Sequence, residues 1–240
     1  MPIDPSAAIP PDTPLSKLPN FDPREVPVIG VDTHLPAVPP EQLRPQALRQ
    51  RFAQPPQWQQ EFRAEPRFTD RTTAPAAVLV PIIMREQPTV LLTQRTPHLS
   101  THSGQVAFPG GKRDETDIDA TDTALREAEE EIGLERPLAE VIGAMPTYTT
   151  GTMFIITPVV ALVRPDYRLA LNPYEVADAF EVPLAFLMDP AHHRRHAIEF
   201  SGTRREWLSM PWLDPQGQQE RFIWGATAGM LRNLYRFLSA

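Results

Sequence analysis

The segment from Gly110 to Leu134 constrains this chain more than any other part of its sequence. Its residues are GGKRDETDIDATDTALREAEEEIGL, so a glycine pair opens a carboxylate-rich loop and an acidic, alanine-rich stretch follows. At 3.6 residues per turn, Glu127, Glu130 and Glu131 share one face of a helix. Three carboxylates on one face repel one another unless a cation lies among them.

The acidic helix face has two interpretations. Hard divalent cations prefer oxygen ligands and are usually held by one or two carboxylates plus substrate phosphates. An arbitrary acidic run is instead a solvated helix surface. The bracketing glycines and Arg126 favour the metal site, because a backbone without Cβ atoms can approach phosphate closely and a guanidinium can orient a carboxylate. We therefore predict a metal-binding helix that ends at Gly133.

The second half of this segment resembles a known family motif. Arg126–Leu134, with the sequence REAEEEIGL, is similar to the end of the Nudix box. The first half departs from the box, since five residues separate Gly111 from Asp117 and eight separate Asp117 from Arg126. The usual box has a glutamate in place of this aspartate and a loop one residue shorter. The variant resembles the one carried by coenzyme A pyrophosphatases within the Nudix family.

A second motif precedes the box. Leu91–Gly111, with the sequence LLTQRTPHLSTHSGQVAFPGG, resembles the signature of the same subfamily. The resemblance fails at Ser100, where that signature usually has an arginine. Arg95, His98 and His102 are candidates to replace the missing charge. A surface charge is the alternative for the arginine, and a solvated loop position is the favoured interpretation of each histidine.

The resemblance covers roughly residues 43–240 and implies an α/β fold. We expect a Nudix-type α/β/α sandwich with a mixed β-sheet, preceded by a proline-rich extension. The implied activity is metal-dependent hydrolysis of the diphosphate of coenzyme A or acyl-CoA, giving 3′,5′-ADP and 4′-phosphopantetheine or its acyl form. The alternatives are a Nudix pyrophosphatase for ADP-ribose, a nucleotide sugar or NADH, and a non-catalytic Nudix ligand-binding module.

The resemblance also assigns residues to roles. Glu127 and Glu131 are expected to coordinate Mg²⁺ or Mn²⁺, with Glu130 as an additional or alternating ligand and Arg126 orienting a carboxylate. The expected catalytic residues are Arg126, Glu127, Glu130 and Glu131. The expected substrate-binding residues are Arg95, Gly110, Gly111 and His102. Glu175 either adds a carboxylate to the site or caps a helix, and both interpretations stay open.

Composition limits the other classes of function. The net charge of −7 disfavours nucleic acid as a partner, and the chain has no cysteine for disulfides, thiolate metal sites or a nucleophile. The first residues lack the basic and apolar regions of a secretory signal, and the longest apolar run, 153–163, is too short to span a bilayer. We therefore expect a cytoplasmic protein without membrane association.

Proline usage divides the chain. Sixteen of its 29 prolines lie at or before Pro75, so we expect an extended or disordered tail over residues 1–40, a connecting segment packed on the domain over 41–74, and the Nudix domain over 75–240. A homodimer assisted by the tail stays open. The expected strands are 76–84, 89–95, 106–108, 141–145 and 152–163. The expected helices are 41–52, interrupted at Pro45, the acidic helix from about Asp119 or Thr121 to Ile132, 174–180 and 184–189. Residues 222–238 are expected to be a strand end followed by a C-terminal amphipathic helix.

Overall fold

The computed structural model of the chain describes residues 21–65, 72–97, 104–200, 203–215 and 219–240. Within these ranges the strands are β1 Val28–Val31, β2 Ala74–Ile83, β3 Thr89–Arg95, β4 Val106–Ala107, β5 Gly110–Lys112, β6 Ala139–Ala144, β7 Tyr148–Thr149, β8 Phe154–Val163, β9 Val176–Pro183, β10 Arg194–Phe200, β11 Thr203–Leu213 and β12 Glu220–Trp224. The helices are α1 Pro45–Ala53, α2 Ala120–Ile132, α3 Leu184–Leu187 and α4 Gly225–Leu238, with 3₁₀ turns at Pro40–Leu43, Arg136–Leu138 and Pro190–His192. Over the same ranges no helix combines the length and apolar character needed to cross a membrane.

The larger sheet is mixed and forms the centre of the molecule. Its strand order is β4-β3-β2-β8-β6, with β5 on β2, β9 on β3 and β7 on β8. The pair β2 and β8 is parallel over ten residues of each strand, and the other pairs are antiparallel. Both central strands are rich in valine and isoleucine, as expected for strands that are buried on both faces.

Helices cover the two faces of this sheet. Ala124, Ala128 and Ile132 of α2 pack in one apolar cluster with alternate residues of β2 and β8. The other face packs in a second cluster with α4, through residues such as Leu231 and Leu234. The layers are therefore helix, mixed sheet and helix, which confirms the predicted α/β sandwich.

A second, antiparallel sheet was not predicted from the sequence. Its strand order is β1-β10-β11-β12, and Leu208, Met210 and Ile223 bury their side chains in the same core as α4. Charged residues are frequent in β10 and β11, so apolar periodicity is weak there. The predicted helix at 174–180 is also wrong, because residues 176–183 form β9 and pair with β3. Backbone pairing along a sheet edge overrides the local preference of this segment.

The N-terminal part of the described chain contacts the folded body. Residues 28–31 are extended and pair with β10, and Val38 is buried. Phe52 and Trp58 of the connecting segment pack on Phe237, with ring centroids at 4.7 and 5.4 Å. The carboxylate of Glu61 accepts hydrogen bonds from arginines of β10 and α4. The division of the chain at residues 40 and 74 stays a prediction.

Candidate active site

Helix α2 begins and ends at residues suited to helix termini. The Asp119 side chain accepts a hydrogen bond from the Asp122 N–H at 2.9 Å, which caps the N-terminus. Gly133 ends the helix with φ 70°, a left-handed conformation that glycine adopts readily. The two capping residues fix where α2 begins and ends, and so which of its residues face the sheet.

Arg126 connects α2 to the preceding loop. Its Nε–H and an Nη2–H donate to the two carboxylate oxygens of Asp117 at 2.8 and 2.9 Å. Its Nη1 lies 2.9 Å from Glu127 Oε1 and 3.0 Å from Glu130 Oε2. The guanidinium beside Asp117 holds the pKa of that buried carboxyl well below its usual range. Arg126 therefore contacts both Glu127 and Glu130, and its bidentate partner is the aspartate of the variant box.

Glu131 is the most deeply buried carboxylate of the helix, with 3% of its surface exposed. Its Oε2 accepts a hydrogen bond from the Gly110 N–H at 3.0 Å, and its Oε1 lies 3.5 Å from Arg95 Nη1. Burial raises the pKa of Glu131 to about 7, against the lowering effects of the Gly110 N–H and Arg95. Nearby Glu127 and Glu175 raise this pKa further by like-charge repulsion. A cation placed among these carboxylates would relieve that repulsion.

The glycine pair lies directly against the helix carboxylates. A Cβ added to Gly111 would meet the Glu127 carboxylate at 2.5 Å, and one added to Gly110 would meet the Ala77 carbonyl oxygen of β2 at 2.4 Å. Both contacts are too close for any larger residue. Burial also raises the pKa of Glu127, although Arg126 opposes this effect.

A cavity of about 410 Å³ opens in front of these groups. Glu127, Glu131, Arg95, Gly110 and Gly111 all line it, so five predicted site residues lie around one space. Two other predicted residues do not line the cavity: Glu130, whose side chain is 58% exposed, and Arg126. His102, together with His98 and Ser100, lies outside the described residues.

Other residues of the cavity wall were not predicted as site residues from the sequence. Glu65 lines the cavity from the connecting segment, and its carboxylate accepts a hydrogen bond from the Gly151 N–H at 2.9 Å. The smaller sheet contributes Arg205, Trp207 and Trp224. Trp224 lies in a stretch that resembles the same subfamily, but the sequence favoured a core position for it over a ligand contact. No motif marks Glu65, Arg205 or Trp207, which reach the cavity through tertiary packing. Glu175, for which two roles were open, also lines the cavity.

The donor set of the cavity suits a hard divalent cation. Glu127 and Glu131 present two carboxylates from one helix face. Mg²⁺ is typically held by one or two carboxylates beside substrate phosphates. In the described part of the chain, no three acidic or histidine side chains are arranged as a complete metal site. Mg²⁺ usually keeps several waters as well, so the Glu127 and Glu131 carboxylates suit it.

Fold, helix and cavity together define a hydrolase site of one family. A family model described as "NUDIX domain" matches residues 73–201. The chain therefore belongs to the Nudix family, and it is a Nudix hydrolase. Members of this family generally use divalent metal ions and act on small-molecule substrates.

Comparison with curated proteins gives the same family. The chain is similar to a protein of Escherichia coli strain K12 named "Uncharacterized Nudix hydrolase NudL", with 44% identity over 160 residues, which cover 66% of this chain and 80% of that protein. Among solved structures, a C. elegans Ap4A hydrolase binary complex is similar at a TM-score of 0.41 and 19% identity, covering 50% of this chain and 86% of that chain. The Nudix domain of Shewanella oneidensis NrtR, solved with ADP ribose, has a TM-score of 0.38 and 24% identity and covers 48% of this chain and 75% of that chain.

Proposed function

We propose that this Nudix hydrolase cleaves the diphosphate of coenzyme A and acyl-CoA, with Mg²⁺ or Mn²⁺, to 3′,5′-ADP and 4′-phosphopantetheine or its acyl form. The observation that carries the proposal is the convergence of two motifs on one cavity. Glu127 and Glu131 reach it from the Nudix box. Arg95, Gly110 and Gly111 reach it from the coenzyme A pyrophosphatase signature.

The chain's own residues suit each task of diphosphate cleavage. Glu127 and Glu131 would hold the divalent cation, and Arg126 fixes the helix carboxylate beside it at 2.9 Å. The glycine pair lets the substrate phosphates approach the backbone closely. When bound, the cation would neutralise charge on the diphosphate and favour attack of water on phosphorus.

The cavity also suits a substrate that is larger than its diphosphate. Apolar side chains such as Val106, Phe154, Ile156 and Met230 line it beside the charged groups. Ligand sites of this kind are mostly apolar, with a few polar groups that fix orientation. Coenzyme A combines an adenine base, a 3′-phosphate, a diphosphate and a long pantetheine arm. It therefore presents both charged and less polar surfaces to the cavity.

A substrate screen tests this proposal. Pure protein is incubated with coenzyme A and Mg²⁺ or Mn²⁺, and 3′,5′-ADP is measured by chromatography. ADP-ribose, NADH and a nucleotide sugar are measured in parallel at equal concentration. We expect coenzyme A to be cleaved with the highest kcat/KM of the set. If coenzyme A gives no product with either metal while ADP-ribose is cleaved well, the proposed substrate is wrong.

A further inference from the structure

The smaller sheet contributes one cation and two indoles to the cavity wall. Arg205 and Trp207 belong to β11, and Trp224 is the last residue of β12. All three lie beyond residue 201, where the match to the NUDIX domain ends. This wall therefore lies outside the part of the chain that the family model matches.

These side chains are held firmly in place. Arg205 and Trp207 are 2% and 7% exposed, and they lie two residues apart on one face of β11. The Trp207 ring stacks on His196 at 5.6 Å and meets Trp224 edge-on at 6.4 Å. Glu206 also lines the cavity, but its carboxylate accepts a hydrogen bond from Arg204 at 2.7 Å.

Among the described residues, three cationic side chains line the cavity: Arg95 and Lys112 from the larger sheet and Arg205 from the smaller one. Arg95 comes from β3 and lies 3.5 Å from Glu131, so it is placed beside the carboxylates of α2. Arg205 comes from the other sheet, together with the two indoles. A guanidinium is the side chain best suited to bind phosphate in a bidentate manner, and indole faces stack on nucleobases. Trp207 is buried with one ring face on His196, so the partly exposed Trp224 is the indole that a base can reach. The second wall thus suits an aromatic base that carries its own anionic group.

We propose that Arg205, with Trp207 and Trp224, forms a subsite for a nucleoside 3′-phosphate, separate from the diphosphate site on α2. This inference rests on the proposed function, and it names the part of the substrate that the smaller sheet recognises. The sequence has Ser100 where the subfamily signature usually has an arginine, and Arg205 would bring a guanidinium to the cavity from β11 instead.

The test removes the phosphate from the substrate and the charge from the protein in turn. Rates with coenzyme A and with 3′-dephospho-coenzyme A are measured for wild type and Arg205→Gln, and the ratio of kcat/KM for the two substrates is compared. Loss of a charge-assisted hydrogen bond is expected to cost about 10- to 100-fold. We expect this loss for coenzyme A and less than about a threefold change for the dephospho substrate.

Two further variants and one ligand comparison complete the test. Arg205→Lys keeps the charge and should restore part of the preference for coenzyme A. Arg194→Gln removes an exposed arginine of the same sheet that does not line the cavity, and the preference should stay unchanged. If Arg205→Gln does not fold, the inhibition of the wild-type enzyme by 3′,5′-ADP and by 5′-AMP, which differ by the 3′-phosphate, is compared instead. We expect 3′,5′-ADP to inhibit at least about tenfold more strongly.

The outcomes separate the two proposals. Equal losses on both substrates in Arg205→Gln, or equal wild-type rates with both substrates, would overturn the subsite and leave the proposed function standing. Equal inhibition by 3′,5′-ADP and 5′-AMP would also overturn the subsite. A wild-type enzyme that cleaves neither substrate would overturn the proposed function and the subsite with it.

Discussion

Asp117 accepts two hydrogen bonds from the Arg126 guanidinium, at 2.8 and 2.9 Å, and its side chain is only 2% exposed. The same guanidinium contacts Glu127 and Glu130. The aspartate that makes this Nudix box unusual therefore fixes the arginine beside the predicted metal ligands. The extra loop residue and the shorter carboxylate are compatible with an intact helix and an intact arginine contact.

Asp117→Asn should weaken the site without removing a proposed metal ligand. The amide keeps the shape of the side chain but loses the charge that fixes Arg126. Changes in residues that orient metal ligands typically cost about 10- to 100-fold in metal affinity or activity, and we expect a loss of that size. Manganese binding, followed by electron paramagnetic resonance, and kcat measure the effect.

Asp166→Asn is the matched control for Asp117→Asn. Asp166 also accepts two hydrogen bonds from one arginine, Arg164, but both side chains are 57% exposed. Exposed pairs contribute little, so manganese affinity and kcat should stay at the wild-type level. Wild-type behaviour of Asp117→Asn as well would show that Arg126 needs no fixed partner.

Gly111→Ala should displace the Glu127 carboxylate. The added methyl group would lie 2.5 Å from that carboxylate, so the side chain must move. A displacement of about 1 Å in a catalytic group can cost roughly 100-fold in rate, and we expect a fall in kcat of that order. Initial rates at saturating metal and substrate measure it.

Gly30→Ala is the control for the glycine substitution. A Cβ at Gly30 would meet no atom within 4 Å, and this glycine does not line the cavity. Its kcat should match that of wild type. A Gly111→Ala enzyme with wild-type kcat would contradict the close packing of glycine and carboxylate.

The sequence predicted the helix of the site better than the wall opposite it. The bounds of α2 and its end at Gly133 follow from local rules of helices. The contact of Gly111 with Glu127 joins two distant elements and was not predicted. Arg205 and Trp224 reach the cavity only because β11 and β12 pair with each other and pack on α4. Such contacts depend on tertiary packing, which one sequence does not reveal.

The exposure of Glu130 could not be predicted from the sequence either. Spacing alone places it on the same helix face as Glu127 and Glu131, but a face is wider than the cavity that it borders. The structure has the Glu130 side chain in contact with Arg126 and outside the cavity lining. Its role as an additional or alternating ligand stays a prediction.

Acid should destabilise this protein through His193. The imidazole is fully buried, its Nδ1 accepts a hydrogen bond from Arg232 at 3.0 Å, and its Nε2 therefore carries the proton donated to the Leu187 carbonyl oxygen at 2.8 Å. Burial lowers the pKa of His193 from 6.5 to about 4. Between these values the unfolded chain binds a proton that the folded chain does not, so the contribution of His193 to the free energy of unfolding should fall as the pH is lowered. Glu131, whose pKa is raised to about 7, contributes in the opposite direction, so the effect of His193 is measured as a difference between wild type and variant.

Urea unfolding at pH 7, 6 and 5 measures this effect. The contribution of His193 is at most about 1.4 kcal/mol per pH unit, the limit for a single proton. His193→Gln should reduce the slope by up to this amount relative to wild type, and the slope that remains is the sum of opposite contributions from His196, whose pKa burial lowers, and Glu131, whose pKa burial raises. His34 is exposed, so His34→Gln should leave the slope unchanged. An unchanged slope in His193→Gln would contradict the buried, neutral imidazole.

The carboxylate pair of α2 is the centre of the proposed chemistry, and one rate measurement tests it most directly. The Mg²⁺-dependent release of 3′,5′-ADP from coenzyme A is measured for wild type, Glu127→Gln, Glu131→Gln and Glu129→Gln. Glu129 is the matched control, because its side chain is 51% exposed and does not line the cavity. The glutamines at 127 and 131 should each lower kcat by about 100-fold or more with the fold intact by circular dichroism, since each removes a metal-binding charge, whereas Glu129→Gln should keep the wild-type rate. Wild-type turnover in either Glu127→Gln or Glu131→Gln would contradict the assignment of this pair as the metal-binding centre.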